Sequence, residues 1–250
     1  MSRLDWLTAR PIAHRGYHDA AAGRIENTLA ATAAAVEHGL AIECDLQLSA
    51  DGRAVVFHDD TLDRLTGASG AVAAADLAAL KAARFKNGDG RIPTLEELLD
   101  LIDGRVPLVV ELKSAWGGPR RLEAVVAPIL AEYSGPVAVM SFDPRSVAAM
   151  RRLAPVLPRG MISGAFRADD WPRLSAAARF AHRHLASAGS VVPHFVAYGV
   201  DALPASAPLI LRHALRVPVL TWTVRTTADR ATARAWADQM IFEGFDPDAG

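Results

Sequence analysis

The chain is poor in cysteine, in aromatics and in net charge. One of its 250 residues is cysteine, Cys44, which excludes an internal disulfide and any cysteine-based zinc cluster. A lone thiol fits a reducing compartment. Aromatic residues make up 6% of the chain. The formal net charge is −1, so no global field draws the protein to nucleic acid or to an anionic membrane. Charges interrupt every apolar run well short of a membrane span. The opening residues, Met1 to Trp6, are polar and lack the apolar centre of a secretory signal. The expectation is a cytoplasmic protein with a small-molecule partner, no nucleic acid and no stable membrane insertion. A homo-oligomer is left open.

What is present is a hydrophobic content of 51%, enough for a substantial core. Short apolar runs near residues 12, 42, 109, 139, 161, 196, 220 and 241 read as eight strands, and helical patterns alternate with seven of them. Such alternation over about 250 residues predicts a (β/α)8 TIM barrel. An open doubly wound sheet would place a glycine-rich nucleotide loop after strand one, and Gly16-Tyr17-His18 is not that loop. No linker or repeat divides the sequence, so one domain is expected over residues 1–250, with a short hairpin and loop insertion after strand two, at about 60–105. Asn27 reads as the cap of the first long helix. Trp171, Leu174, Ala178, Ala181 and Leu185 form a helical stripe, and His182-Arg183-His184 falls mostly off it, as a solvated face would. The Leu4–Leu7 turn is expected to cover the barrel floor.

The most informative stretch is Ile42-Glu43-Cys44-Asp45-Leu46, which continues through Asp51-Gly52 to Val55-Val56-Phe57-His58. Alternate strand residues share a face, so Glu43 and Asp45 point one way and Cys44 the other. Asp51-Gly52 reads as a two-residue type I′ hairpin turn. That turn would pair Ala50 with Arg53, Leu48 with Val55 and Asp45 with His58. Barrel sites form at the C-terminal ends of the strands. Those ends carry His14 and Arg15, then Glu43 and Asp45 with His58 on the return. Glu111 and Lys113 follow, then Ser141 and Phe142, Tyr198, Trp222 and Glu243.

Glu43, Asp45 and Glu111, with no thiol beside them, suit one hard divalent cation, Mg2+ or Ca2+. Arg15 and Lys113 would add fixed positive charge for a phosphate. His14 and His58 are a candidate acid–base pair. Alone, His14 would be read as a packed histidine bonded to a carbonyl; Arg15-Gly16 and His58 shift that balance. Trp222 is either a wall for substrate carbons or ordinary packing at the barrel top.

The ordered set His14-Arg15-Gly16, Glu26-Asn27-Thr28, Glu43-Cys44-Asp45, Val55 to Asp59, Leu62 to Gly67, Ile92 to Glu97 and Glu111-Leu112-Lys113 resembles the glycerophosphodiester phosphodiesterase family. Thr221 to Val224 and Glu243-Gly244 extend the match over essentially the whole chain. The resemblance implies metal-dependent hydrolysis of glycerophosphodiesters, the deacylated phospholipid head groups, to sn-glycerol 3-phosphate and an alcohol. It implies His14 and His58 as acid and base, Glu43, Asp45 and Glu111 as metal ligands, and Arg15 and Lys113 on the phosphate. Glu26 would face the site behind the ligands, with Asn27 beside it. The short insertion implies a small lid. Many members carry an Asp-containing turn where this chain has Glu243-Gly244, so Glu243 is given at most a supporting role. Attack by water and attack by the glycerol 2-hydroxyl, through a cyclic phosphate, both stay open. A phospholipase acting on membrane lipid would want an exposed apolar or basic rim, which the sequence does not display.

Overall fold

The computed structural model describes residues 4–249. Met1, Ser2 and Arg3, the start of the polar N-terminal stretch, lie outside the described residues, as does Gly250. The strands are β1 (Ile12–Ala13), β2 (Ala41–Leu48), β3 (Ala54–Val56), β4 (Leu108–Leu112), β5 (Val137–Ser141), β6 (Arg159–Ser163), β7 (Phe195–Gly199), β8 (Val219–Val224) and β9 (Gln239–Phe242). The helices are α1 (Asp5–Ala9), α2 (Leu29–Glu37), α3 (Leu77–Ala82), α4 (Leu95–Ile102), α5 (Arg121–Glu132), α6 (Pro144–Leu153), α7 (Ala176–Arg183), α8 (Ala188–Val191), α9 (Ser206–Ala214) and α10 (Thr227–Trp236). All strands but β3 pair in parallel, and β1 pairs with both β9 and β2, so the sheet closes into an eight-stranded barrel. β3 returns antiparallel along the C-terminal half of β2. The fold is the expected TIM barrel. Among the described residues, no helix is long and apolar enough to cross a membrane.

Strand parity sorts the side chains. Strands buried on both faces read as near-continuous apolar runs. Ile12, Ala41, Val109, Ala138, Leu220 and Ile241 fill the barrel interior, and Leu7 of α1 joins them, so the N-terminal turn covers the floor as expected. Ile42, Cys44 and Leu46 pack outward with Leu95, Leu98, Leu99 and Ile102 of α4. Those four leucine and isoleucine positions fall at i, i+3, i+4 and i+7, one helical face. Thr94 and Glu97 close the capping box that starts this helix.

Several local expectations are corrected. Thr28, not Asn27, caps α2; its hydroxyl accepts from the Ala31 amide. The β2–β3 register is Leu46↔Val56 and Leu48↔Ala54, one residue off the expected pairing. Ser49 pairs with Arg53 around a three-residue loop, and Gly52 takes the left-handed position at φ 83°. That is the bulged hairpin rather than the type I′ turn. Asp45 therefore lies opposite Phe57, whose amide donates to the Asp45 carbonyl at 3.0 Å. Only Ala176–Arg183 of the 171–185 stripe is helical, because Trp171 and Leu174 belong to the preceding turns. Arg183 and His184 are exposed, as expected of a solvated face, whereas His182 is half-buried and stacks on Phe166. Tyr198 faces the helix layer, with its hydroxyl donating to the Arg183 carbonyl, and so is not at the barrel mouth. The insertion has its own apolar cluster, with Val55, Phe57, Leu62, Val72, Leu80 and Phe85 among its members. Each such buried side chain is worth about 1.5–3 kcal/mol relative to exposure. α4, at the end of that insertion, packs into the barrel's outer layer.

Candidate active site

The first strand ends in a sharp turn that builds one wall of the site. The His14 amide still donates to Phe242 of β9. Arg15 then turns to φ 56° and Gly16 to φ 78°. A left-handed non-glycine residue costs free energy and is retained where surrounding contacts fix it. Here the contact is with Glu43: the turned Arg15 amide donates to Glu43 Oε2 at 3.0 Å, and the Gly16 amide donates to the Glu43 carbonyl at 3.1 Å. Asn27 is also left-handed, at φ 58°. Its side-chain amide donates to Asp45 Oδ2 at 2.8 Å and its oxygen accepts from the Asp45 amide at 3.2 Å. A residue read as a helix cap thus holds a carboxylate from two sides.

Glu43, Asp45 and Glu111 are buried, and each offers an oxygen within 4.8 Å of the other two. Parity on β2 turns the first two inward, and the register Asp45↔Glu111 across β2–β4 brings the third alongside. Lys113 Nζ sits 2.8 Å from Glu111 Oε1 and 3.2 Å from Asp45 Oδ1. Arg15 reaches Glu26 Oε1 at 2.6 Å and Asp45 Oδ2 at 3.4 Å. Burial and the neighbouring carboxylates Asp45 and Glu111 push the Glu43 carboxyl well above the usual range. Burial also raises Glu111, against the pull of Lys113. Asp45 is equally buried, yet Lys113, His58 and Arg15 outweigh that and hold it well below the usual range. Three crowded carboxylate oxygens, one of them on the strongly raised Glu43, fit a hard divalent cation. The site offers no thiol, because Cys44 points outward and burial raises its pKa.

Each histidine is held at Nδ1 by a carboxylate that an arginine clamps in turn. His14 Nδ1 meets Glu243 Oε2, and Arg225 Nε donates to Glu243 Oε1 at 2.7 Å. His14 Nε2 lies 4.0 Å from Glu43. His58 Nδ1 is 2.7 Å from Asp59 Oδ1, and Arg64 grips Asp59 at 2.5 and 2.9 Å. Arg64 also donates to both oxygens of Glu26, which joins the His58 clamp to Arg15. Gln47 brackets His58, donating to the Phe57 carbonyl at 2.9 Å and the Asp59 carbonyl at 2.6 Å. This grip delivers His58 to the site despite the shifted register. Burial lowers the pKa of both histidines. Burial works against the Glu243 carboxylate, but His14, His18 and Arg225 hold it well below its usual range.

The fold thus gathers His14, Arg15, Glu26, Asn27, Glu43, Asp45, His58, Glu111 and Lys113 into one network. Trp222 sits apart, edge-on to Phe142 at 5.4 Å. Reading the sequence missed Gln47, Asp59, Arg64 and Arg225. Asp59 and Arg64 lie inside motifs that carried the resemblance, so a signal was present. Arg225 offered none, because its partner Glu243 lies 18 residues on and is brought to it by the pairing of β8 with β9.

The family model described as Glycerophosphoryl diester phosphodiesterase family matches residues 14–248. YhdW of Bacillus subtilis (strain 168) is 37% identical over 163 residues, which cover 61% of this chain and 65% of that protein. The glycerophosphodiester phosphodiesterase of Caldanaerobacter subterraneus subsp. tengcongensis is 35% identical over 170 residues, 64% of this chain and 69% of that protein. The matches span about two thirds of these relatives. An Oleispira antarctica phosphodiesterase, solved with the product sn-glycerol-3-phosphate, superposes with a TM-score of 0.75 at 23% identity, covering 94% of this chain and 92% of that one. The glycerophosphodiester phosphodiesterase of Thermotoga maritima gives a TM-score of 0.70 at 23% identity, covering 93% and 94%. These two structures share the barrel. With the family match running from His14 to Asp248, the chain belongs to the glycerophosphoryl diester phosphodiesterase family.

Proposed function

We propose that the protein hydrolyses glycerophosphodiesters to sn-glycerol 3-phosphate and an alcohol, with one divalent cation, Mg2+ or Ca2+, held by Glu43, Asp45 and Glu111. The observation that carries this reading is the buried group of three carboxylates beside two carboxylate-anchored histidines. When bound, the cation supplies positive charge against the charge that develops on the phosphoryl oxygens. Arg15 and Lys113 add fixed charge next to it and orient the phosphate.

The anchored Nδ1 of each histidine directs its Nε2 as the atom that moves a proton. One histidine takes the proton from the attacking oxygen as that oxygen bonds to phosphorus. The other gives a proton to the alcohol oxygen as its bond to phosphorus breaks. The attacking oxygen is that of water or of the glycerol 2-hydroxyl, and detecting a cyclic glycerol phosphate separates the two. Trp222 is placed on the substrate's carbon side. A cytoplasmic location suits the free, buried thiol of Cys44.

The test is hydrolysis of glycerophosphocholine, glycerophosphoethanolamine and bis(p-nitrophenyl) phosphate with Mg2+, Ca2+ or EDTA. Cation-dependent release is expected. His14→Ala and His58→Ala should each lose roughly 10²- to 10⁴-fold while circular dichroism shows an intact fold. Absence of release from all three substrates would overturn the reading.

A further inference from the structure

The net charge of −1 conceals an uneven distribution. Residues 144–217, the arc of the barrel from α6 through β6, α7, α8, β7 and α9, hold ten arginines and three aspartates, and neither lysine nor glutamate. Their formal charge is +7, which leaves −8 for the rest of the chain. The three aspartates stand at the mouth end of this arc. Asp169 and Asp170 lie in the turn after β6, and Asp201 follows β7, where Arg167 binds it at 2.8 Å. The floor end, where β6, β7 and β8 begin, receives none of them.

Arginines and apolar side chains share that floor end. Arg151 and Arg152 lie in the last turn of α6 and Arg216 precedes β8; all three are exposed. With them stand Leu153, Val156, Val192 and Leu215, from the segments that follow α6, α8 and α9, with Val156 at 69% and Leu215 at 64% exposure. These are four of the eight large exposed apolar side chains among the described residues, and such clustering marks an interaction site. Hydrogen bonds tie the segments together: Arg151 donates to the Ser190 carbonyl at 3.2 Å, and the Val196 amide donates to the Pro218 carbonyl at 3.0 Å. Val192 is left-handed at φ 51°, a costly conformation for a β-branched residue. A glycine would end α8 there without the strain and without the exposed apolar group. Beneath this surface Arg159 is buried, and its guanidinium donates to the Pro155 and Val192 carbonyls at the long distance of 3.5 Å. Its Nε has no partner, and Arg151 is its charged neighbour. Buried charge is ordinarily paired with its opposite. Neighbouring elements add Asp238, just before β9, which Arg212 and the Val219 amide already hold at 2.9 and 2.8 Å. Glu132, the last residue of α5, lies on the side towards β5.

A second copy, a nucleic acid and a lipid surface would meet this end differently. A two-fold dimer sets a patch against itself, here arginines against arginines. A nucleic acid would pair with the arginines and leave the aliphatic groups without bases to stack on. An anionic bilayer answers both features, since its head groups attract arginine and its outer acyl region accepts leucine and valine. We propose that the floor end of β6, β7 and β8 docks peripherally on an anionic lipid bilayer. In this pose the active-site mouth, at the opposite end of the barrel, opens to solution. The lipid is a support and not a substrate, and soluble diesters are captured near the membrane where lipid deacylation releases them.

Co-sedimentation of the full chain with vesicles tests the docking. Vesicles of phosphatidylcholine and phosphatidylglycerol in equal parts should bind the protein at low salt, more weakly as salt rises, and vesicles of phosphatidylcholine alone far less. Arg151→Ser combined with Arg152→Ser should weaken binding about 25-fold, from about fivefold per charge. Val156→Ser combined with Leu215→Ser should weaken it roughly tenfold at unchanged charge. Arg167→Ser combined with Arg173→Ser, the same loss of charge at the mouth end, should leave it within about twofold. Circular dichroism of every variant should match the wild type. No binding to the anionic vesicles, or an equal loss in the mouth-end variant, overturns the proposal. So does binding of duplex DNA, or dimer formation, that the floor variants abolish while vesicles stay unbound. Vesicle binding by a chain that hydrolyses none of the diesters would leave the docking in place and overturn the catalytic reading alone.

Discussion

Gly16 sits where the chain has least freedom. Its φ is 78°, and a Cβ added there would stand 3.0 Å from the Ala31 backbone carbon and Cβ. The position demands glycine twice, once for backbone conformation and once for space. Gly16→Ala should therefore cost about 1–3 kcal/mol, read as a lowered urea midpoint. The Gly16 amide donates to the Glu43 carbonyl, so activity should fall with it. Glu243 makes a different kind of demand. Its carboxylate accepts from Arg225 and binds His14 Nδ1, so it fixes the ring. Glu243→Gln keeps the shape but replaces one acceptor oxygen with an amide donor. The expected result is a roughly ten- to hundredfold drop in kcat with KM nearly unchanged and the same urea midpoint. A matching rise in KM would point to a substrate contact instead of a positioning role.

At the scale of elements, the insertion is fastened to the barrel by Arg64, which bonds Asp59 after β3 and Glu26 before α2. Burial opposes ionisation of both carboxylates, but Arg64 and their other partners hold both below the usual range. A carboxylate with a depressed folded-state pKa stabilises the fold above its unfolded pKa, near 4. That contribution fades as pH falls toward the folded value. Arg64→Met should thus unfold at a higher pH than the wild type in an acid titration, and should lose about 0.5–1 kcal/mol at neutral pH, the range of partly exposed pairs. The elements themselves were largely legible. Strand and helix positions follow from runs and periodicity, and the parity that sends Glu43 and Asp45 inward and Cys44 outward needs only the period of two. The hairpin register was not legible, because Asp51-Gly52 serves a two-residue turn and a bulged three-residue loop equally well. Asn27 was misread for a similar reason: Asn and Thr both cap helices, and only tertiary contacts show that Thr28 takes the cap while Asn27 turns to Asp45.

At the scale of the whole molecule, barrel closure sets β1 beside β9 and brings His14 to Glu243, 229 residues away in sequence. No local pattern announces such a pair, and the same holds for the rings that meet above the core. The pairing of β2 with β4 concentrates Glu43, Asp45 and Glu111 in one buried place, at a cost that the rest of the fold must offset. Lys113 and Arg15 answer Asp45 most directly, which leaves Glu43 the most crowded of the three. A cation that binds only the folded state stabilises it by RT ln(1 + [L]/Kd), about 2.7 kcal/mol at a hundredfold excess over Kd. Thermal unfolding of the wild type should therefore shift upward with millimolar Mg2+ or Ca2+ and return with EDTA. Glu43→Gln removes one of three like charges and one ligand oxygen. Without cation, this variant should unfold at the same temperature as the wild type or higher. With cation, its upward shift should shrink or vanish. A variant that kept the full shift would remove Glu43 from the ligand set, whereas one less stable without cation would mean that the ionised Glu43 is already well paired by Arg15 in the empty fold.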